Sequence, residues 1–147
     1  MLLFPGKMKF KKYQKQRRRF KGIDVRYSYP KRGFFALKAL GSNRVKANHL
    51  ESIRRYIQRR IKKKMREKLQ ICVFPDLPAT RKSSGIRMGK GKGAIEYWCT
   101  TVFTGRVLFE LGKSVNYNEA IWALTKAGVK LPVKSKVILR KKFHFTF

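Results

Sequence analysis

The residues best equipped for chemistry lie between 85 and 93, in the run Gly-Ile-Arg-Met-Gly-Lys-Gly-Lys-Gly. Glycines at 85, 89, 91 and 93 remove side chains and permit positive φ. Backbone amides in such a stretch can approach an anion closely and form a nest around it. Arg87, Lys90 and Lys92 surround that backbone with cations. Arginine can also pair bidentately with a phosphate or stack on a base, which lysine cannot. The chemistry implied is contact with a phosphate backbone by Arg87, Met88, Gly89, Lys90, Gly91, Lys92 and Gly93. A flexible surface hairpin is the plainer alternative, and the pattern alone does not separate one nucleic acid from another.

The same loop fails as a nucleotide-binding motif. A P-loop needs Gly-Lys followed by Ser or Thr, and Gly93 follows Lys92. The dinucleotide fingerprint needs G-x-G-x-x-G before a helix. Here the spacing is G-x-G-x-G and a strand is expected after it. General acid–base catalysis needs a His or carboxylate with a partner. Asp24, Glu51, Glu67, Asp76, Glu96, Glu110 and Glu119 fall in no catalytic spacing and read as caps or ion-pair partners. His49 and His144 are far apart, and so are Cys72 and Cys99. Zinc sites draw four clustered ligands, so neither a metal nor any other cofactor is expected. The two cysteines read as reduced, buried thiols.

The loop must be positioned by the elements around it. Residues 7–22 form a basic arm with Phe10, Tyr13 and Phe20 interleaved. Rings among cations suit stacking on bases or docking on the domain, where a plain basic tail would stay solvated. Two β-like runs, 25–29 and 34–40, flank the breaker Pro30-Lys31-Arg32-Gly33 and suggest a hairpin. Leu50, Ile53, Ile57, Ile61 and Met65 recur at helical spacing and predict a helix over 48–66. Asn48 and Glu51 could form its capping box. Its other faces carry Arg54, Arg55, Arg59, Arg60 and Lys62–Lys64. Such a helix can lie on a membrane, stay solvated or bind phosphate. The scarcity of Trp and Phe along its stripe favours phosphate. Residues 69–74 read as a strand ended by Pro75-Asp76-Leu77-Pro78, with a loop over 79–93. Strands are expected over 94–103 and 106–111, joined by a turn at Thr104-Gly105. A second helix is expected over 117–127, capped by Asn116, stopped by Gly128 and burying Ala120, Ile121, Leu124 and Ala127. A last strand follows over 133–139. The layout is a basic arm (1–22), one domain (23–140) and a basic, aromatic tail (141–147).

Charge bounds the partner. The chain has 147 residues with 38 Lys and Arg against 7 Asp and Glu, a net charge of +31. Self-repulsion on that scale calls for a polyanion: nucleic acid, an anionic membrane surface or an acidic protein. At 43% apolar and 13% aromatic the chain is too apolar for a disordered tail. No apolar run approaches the ~18 residues that span a bilayer. Residues 1–23 contain no acid before Asp24, as in mitochondrial targeting segments, but they lack the serine of such segments and read better as an RNA-binding arm.

Four segments resemble the bacterial and organellar L-sixteen family of large-subunit ribosomal proteins. They are Lys9-Phe10-Lys11-Lys12 continuing to Arg17-Arg18-Arg19 and Gly22; residues 33–41 with Leu50-Glu51-Ser52-Ile53-Arg54-Arg55; Val73-Phe74-Pro75-Asp76-Leu77-Pro78 with 87–93 and Glu96-Tyr97-Trp98; and 105–110 with 130–134. The resemblance covers about residues 8–140. It implies an α+β domain with two helices packed on a mostly antiparallel sheet, a basic N-terminal arm and an extended Gly/Lys loop. It implies no enzymatic activity. It implies a seat in the large subunit near the peptidyl-transferase region, with the 87–93 loop reaching toward tRNA in the A site. Large-subunit rRNA, that tRNA and neighbouring large-subunit proteins are the partners it implies, with no membrane and no homo-oligomer. The rRNA contacts are expected from Lys9, Lys11, Lys12, Arg17, Arg18, Arg19, Lys21, Arg54, Arg55, Arg59 and Lys62. The chain departs from the family pattern at Lys46, where a Thr or Ser cap is usual, at Pro30-Lys31-Arg32, at 81–85 and in the 143–147 tail. The Lys, Phe and Ile bias and the absence of a long presequence fit a product of an AT-rich organellar genome, mitochondrial ahead of plastid or bacterial. A free RNA-binding or RNA-chaperone factor is the competing reading.

RNA and membrane partners are separable. RNA binding measured beside binding to anionic liposomes should be the stronger, and should fall steeply as salt rises because counterions are released. Tighter binding to liposomes at matched salt would reverse the assignment.

Overall fold

Residues 107–111, Val-Leu-Phe-Glu-Leu, are buried at every position. Successive strand side chains point to opposite faces, so this segment needs cover on both sides of its sheet. The computed structural model, which describes residues 3–14, 22–61 and 69–140, supplies both covers. The elements run β1 (Phe35–Ala39), β2 (Asn43–Lys46), α1 (Ala47–Ile61), β3 (Gln70–Ile71), β4 (Leu77–Arg81), β5 (Ala94–Val102), β6 (Val107–Leu111), α2 (Tyr117–Val129) and β7 (Ser135–Leu139). They build two antiparallel sheets, one ordered β3-β6-β1-β7 and one ordered β2-β5-β4. The α+β class expected from the sequence is observed, with the strands divided between two sheets.

The helices cover one side. α2 packs on β1 and β7, and α1 packs against α2, β2 and β5. Leu50, Ile53, Ile57 and Ile61 form the buried stripe of α1. Each such burial stabilises by about 1.5–3 kcal/mol. They meet Phe35, Leu37, Phe109, Leu111, Ala120, Ala123, Leu124 and Ala127 in one core. Ala123 replaces Ile121, which is only half-buried, in the expected apolar set of α2. Gly128 does not stop α2, which continues to Val129. A Cβ there would lie 2.5 Å from Ser135 Oγ, so glycine lets the helix approach β7 closely.

The irregular segment 24–33 covers the other side. The run 25–29 forms no strand and no hairpin with β1, which pairs instead with β6 and β7. Val25 is 79% exposed, so this run is not an apolar strand edge. Its backbone is held otherwise: Tyr27 N–H donates to Asp24 Oδ1, and Val107 N–H donates to the Tyr27 carbonyl. The amides of Lys31, Arg32 and Gly33 all donate to the Glu110 carboxylate, at 3.1, 2.9 and 2.7 Å. Burial pushes the Glu110 carboxyl up, but these three backbone donors outweigh it and hold it below the usual carboxylate range. The Cys72 thiol donates to the same carboxylate at 3.4 Å. Burial and that neighbouring charge push the thiol up to about 12. Cys72 is half-buried and Cys99 buried, and both are free.

Other boundaries also differ from expectation. β2 has only Val45 buried, so no apolar pattern announced it. It runs straight into α1 at Ala47, which puts Asn48 inside the helix and not at its cap. Only Gln70 and Ile71 of the run 69–74 are in a strand. Pro78 lies within β4, an edge strand where proline's missing donor is tolerated, so the loop begins after Arg81. The expected turn at Thr104-Gly105 joins two sheets and closes no hairpin, since β5 and β6 do not pair. Gly105 takes φ 94° there and donates its N–H to the Ala39 carbonyl. Last, β7 starts at Ser135, two residues after the expected start.

Replacing Glu110 with Gln should destabilise the fold by about 1.5–3 kcal/mol, as loss of charged hydrogen bonding in a buried site does. Because the folded carboxyl is depressed, its stabilisation is present above the usual carboxylate range and is lost as pH falls through the lower folded value. Urea unfolding should therefore show the gap between wild type and Glu110→Gln closing as pH drops below about 4. A gap independent of pH would refute this role.

Candidate nucleic-acid interface

The 82–93 loop is the tip of the β4–β5 hairpin, and every residue from Arg81 to Lys92 is exposed. Gly93 anchors its base, since a Cβ there would lie 2.2 Å from the Arg81 carbonyl oxygen. Arg81 also pairs with Glu96 across the hairpin at 3.3 Å. Gly85, Gly89 and Gly91 have positive φ, as expected, and Lys90 joins them at φ 50°. Three consecutive left-handed residues, 89–91, lack within that run the alternation of hand that shapes a nest. The tip is exposed along its length. Met88 is 98% exposed beside Arg87 and Lys90. Lys82 reaches across the loop and donates its ammonium to the Gly89 carbonyl.

The arm meets this loop. Lys12 Nζ donates to the Lys92 carbonyl at 2.9 Å, and Lys92 Nζ donates to the Tyr13 carbonyl. Tyr13 and Lys92 line a cavity of about 260 Å3 together with Arg44 and Tyr97, which connects arm, loop and the smaller sheet. Lys9 lies 5.6 Å from the Phe10 ring centroid, and Lys11 is exposed. Two basic segments separated by some 70 residues thus form one cationic cluster. Arg17, Arg18, Arg19, Lys21 and Lys62 lie outside the described residues.

The helical cations form a second cluster. Arg54 holds Glu51 through two hydrogen bonds of 2.8 and 2.6 Å and reaches Gln58 at 2.6 Å. Arg55 adds a 3.0 Å bond to Glu51. The Arg54 bonds, ahead of the opposing effect of burial, hold the Glu51 carboxyl down at about 2. Arg54 is correspondingly raised. Arg54 is therefore fixed and half-buried, while Arg55 and Arg59 are exposed. Those two share a groove of about 500 Å3 with Tyr56 and Lys130, and Lys130 Nζ lies 4.1 Å over the Tyr56 ring. Beside it Arg60 stacks 4.4 Å over Trp122, which is 42% exposed.

Lys130, Trp122, Tyr27 and Tyr29 were not singled out by the sequence. Lys31 and Arg106 lie 4.7 and 5.0 Å from the Tyr27 ring, and Lys38 lies 5.2 Å from Tyr29. Tyr56 could have been found, because it stands one helical turn before Arg59 and Arg60. Lys130 and Trp122 depend on contacts between distant elements. Among the described residues no His, Cys, Asp and Glu cluster could hold a metal, and no helix is long and apolar enough to cross a membrane.

A family model described as ribosomal protein L16p/L10e matches residues 8–138. The chain is 44% identical over 139 residues to the large ribosomal subunit protein uL16 of Leptospira biflexa, covering 95% of this chain and 98% of that one. It is 43% identical over 139 residues to the same-named protein of Neorickettsia sennetsu, covering 95% and 96%. For that of Blochmanniella pennsylvanica the identity is 41% over 143 residues, covering 95% and 100%. With nearly the whole length matched by one family, the chain belongs to the ribosomal protein L16p/L10e family and is not an enzyme.

Proposed function

We propose that this protein is a structural constituent of the large ribosomal subunit that binds rRNA and helps organise the A-site and peptidyl-transferase region for tRNA. The observation that carries the rRNA part is the groove where Arg55 and Arg59 of α1 meet Lys130 at the end of α2. Three cations converge there, and Glu51, the carboxylate on the same walls, is already held by Arg54, so the groove suits a phosphate backbone, which fixes a protein's position without reading sequence. The arm residues Lys9, Lys11 and Lys12 continue that role beside the loop. The exposed tip Arg87-Met88-Gly89-Lys90 is the part best shaped to reach tRNA, because its conformation leaves both cations in solvent. The large-subunit part is supported by the relatives, which are large ribosomal subunit proteins. Those relatives are bacterial, which supports a bacterial-type ribosome; the mitochondrial reading rests on the Lys, Phe and Ile bias.

Two experiments test this reading. Arg59→Ala and Lys130→Ala should each weaken rRNA binding and lower the slope of log K against log salt by about 1. Slopes unchanged in both variants would remove the groove from the interface. In gradients of whole ribosomes, the chain should travel with the large subunit at moderate salt, and its recovery only in ribosome-free fractions would refute the assignment. In the same gradients Arg87→Ala with Lys90→Ala should impair tRNA use or late assembly while thermal unfolding stays unchanged. Normal translation and normal subunit profiles would refute the loop assignment.

A further inference from the structure

Where the two sheets meet, a cleft of about 530 Å3 opens between the stretch after β3, the end of β5 and Arg106. None of the residues assigned to RNA above lines it. Phe74 does, and is 49% exposed. Thr101 and Arg106 line it too, and Thr101 Oγ1 and Arg106 Nε are buried without a hydrogen-bond partner among the described residues. Arg106 is held in place, by Asp24 Oδ2 at 3.4 Å and by the Tyr27 ring at 5.0 Å. Asp76 brings a carboxylate to the same walls.

This combination narrows the ligand. A phosphate would meet one cation and one opposing carboxylate, a poor anion site. A purely apolar group would leave the Thr101 hydroxyl and Arg106 Nε unsatisfied, which buried polar atoms rarely are. A flat ligand with an apolar face and an edge of donors and acceptors meets both demands. In a chain of net charge +31, a nucleobase of the RNA already held by the cations is the natural source, since unpaired bases are recognised by stacking and edge contacts. We propose that this cleft takes one unpaired nucleobase, stacked on Phe74 with its polar edge toward Thr101, Arg106 and Asp76. The proposal rests on the RNA-binding reading and adds base contact to phosphate contact.

The test uses the full chain with a short single-stranded RNA and a duplex RNA of equal length at matched salt. Stacking on one aromatic ring is commonly worth a tenfold change or more in affinity. Phe74→Leu should therefore weaken single-strand binding about tenfold and leave duplex binding unchanged. Ultraviolet cross-linking to the single strand should mark the peptide carrying Phe74, and the mark should vanish in the variant. Thr101→Val, which keeps the shape and removes the hydroxyl, should weaken the single strand alone. Equal losses for both RNAs, or binding that persists with no cross-link in that peptide, would overturn the cleft and leave RNA binding standing. Failure of the wild-type chain to bind either RNA would overturn both.

Discussion

Thirty-eight cations on one chain repel one another, and only seven carboxylates are available inside it to offset them. The fold depends on where those few acids stand. Glu110 is buried and ties three consecutive amides of the 31–33 segment to the C-terminal half of β6. Without that anchor the outer side of the larger sheet would lose its cover. Asp24 steadies Arg106 at the junction of the sheets, and Glu51 fixes Arg54 on α1. These pairs differ in strength. Arg81 with Glu96 is largely exposed and worth about 0–1 kcal/mol. The Glu110 contacts lie in a low-dielectric interior, where charged hydrogen bonds weigh far more.

Too few acids remain for the rest of the cations, and the chain uses neutral partners for many of them. Lys12, Lys82 and Lys92 donate to main-chain carbonyls. Lys31, Lys38, Lys46, Arg60 and Lys130 lie over aromatic rings. Such contacts are worth about 0.5–1 kcal/mol each at exposed sites. They orient a cation without neutralising it. A polyanion therefore meets charges already placed, and loses less to the ordering of long side chains than a loose lysine array would cost. The aromatic content that argued against a disordered tail finds a second use in holding these cations.

What was legible in the sequence follows the range of the interactions. The α1 stripe was plain, because Leu50, Ile53, Ile57 and Ile61 repeat at the helical period and all are buried. So was the glycine loop, whose positive φ values at 85, 89 and 91 follow from residue type. The run 25–29 misled, because its residues favour strands while the backbone N–H and carbonyl of Tyr27 at its centre are taken up by Asp24 and Val107. β2 carried too little apolar signal, and Gly128 read as a stop when its role is close packing against Ser135. Within the candidate interface, Arg55 and Arg59 were legible as a helix face. Lys130 was not, because it joins them only when α2 packs on α1.

The same reasoning explains how arm and loop work together. A hairpin tip of glycine and lysine has little of its own to fix its direction, and glycine loses more backbone freedom on ordering than other residues. The Gly93 approach to Arg81 fixes only the root. The reciprocal bonds between Lys12, Tyr13 and Lys92 brace the returning strand one step further out. They leave Arg87 and Lys90 beyond the brace. Charge that is anchored, in the arm and at Lys92, suits a partner held permanently. Charge on a tip tied within the loop itself, by Lys82 to the Gly89 carbonyl, suits a partner that comes and goes. A permanent rRNA scaffold and a transient tRNA are partners of those two kinds, so the proposed division of roles rests on how each cation is restrained as well as on how many there are.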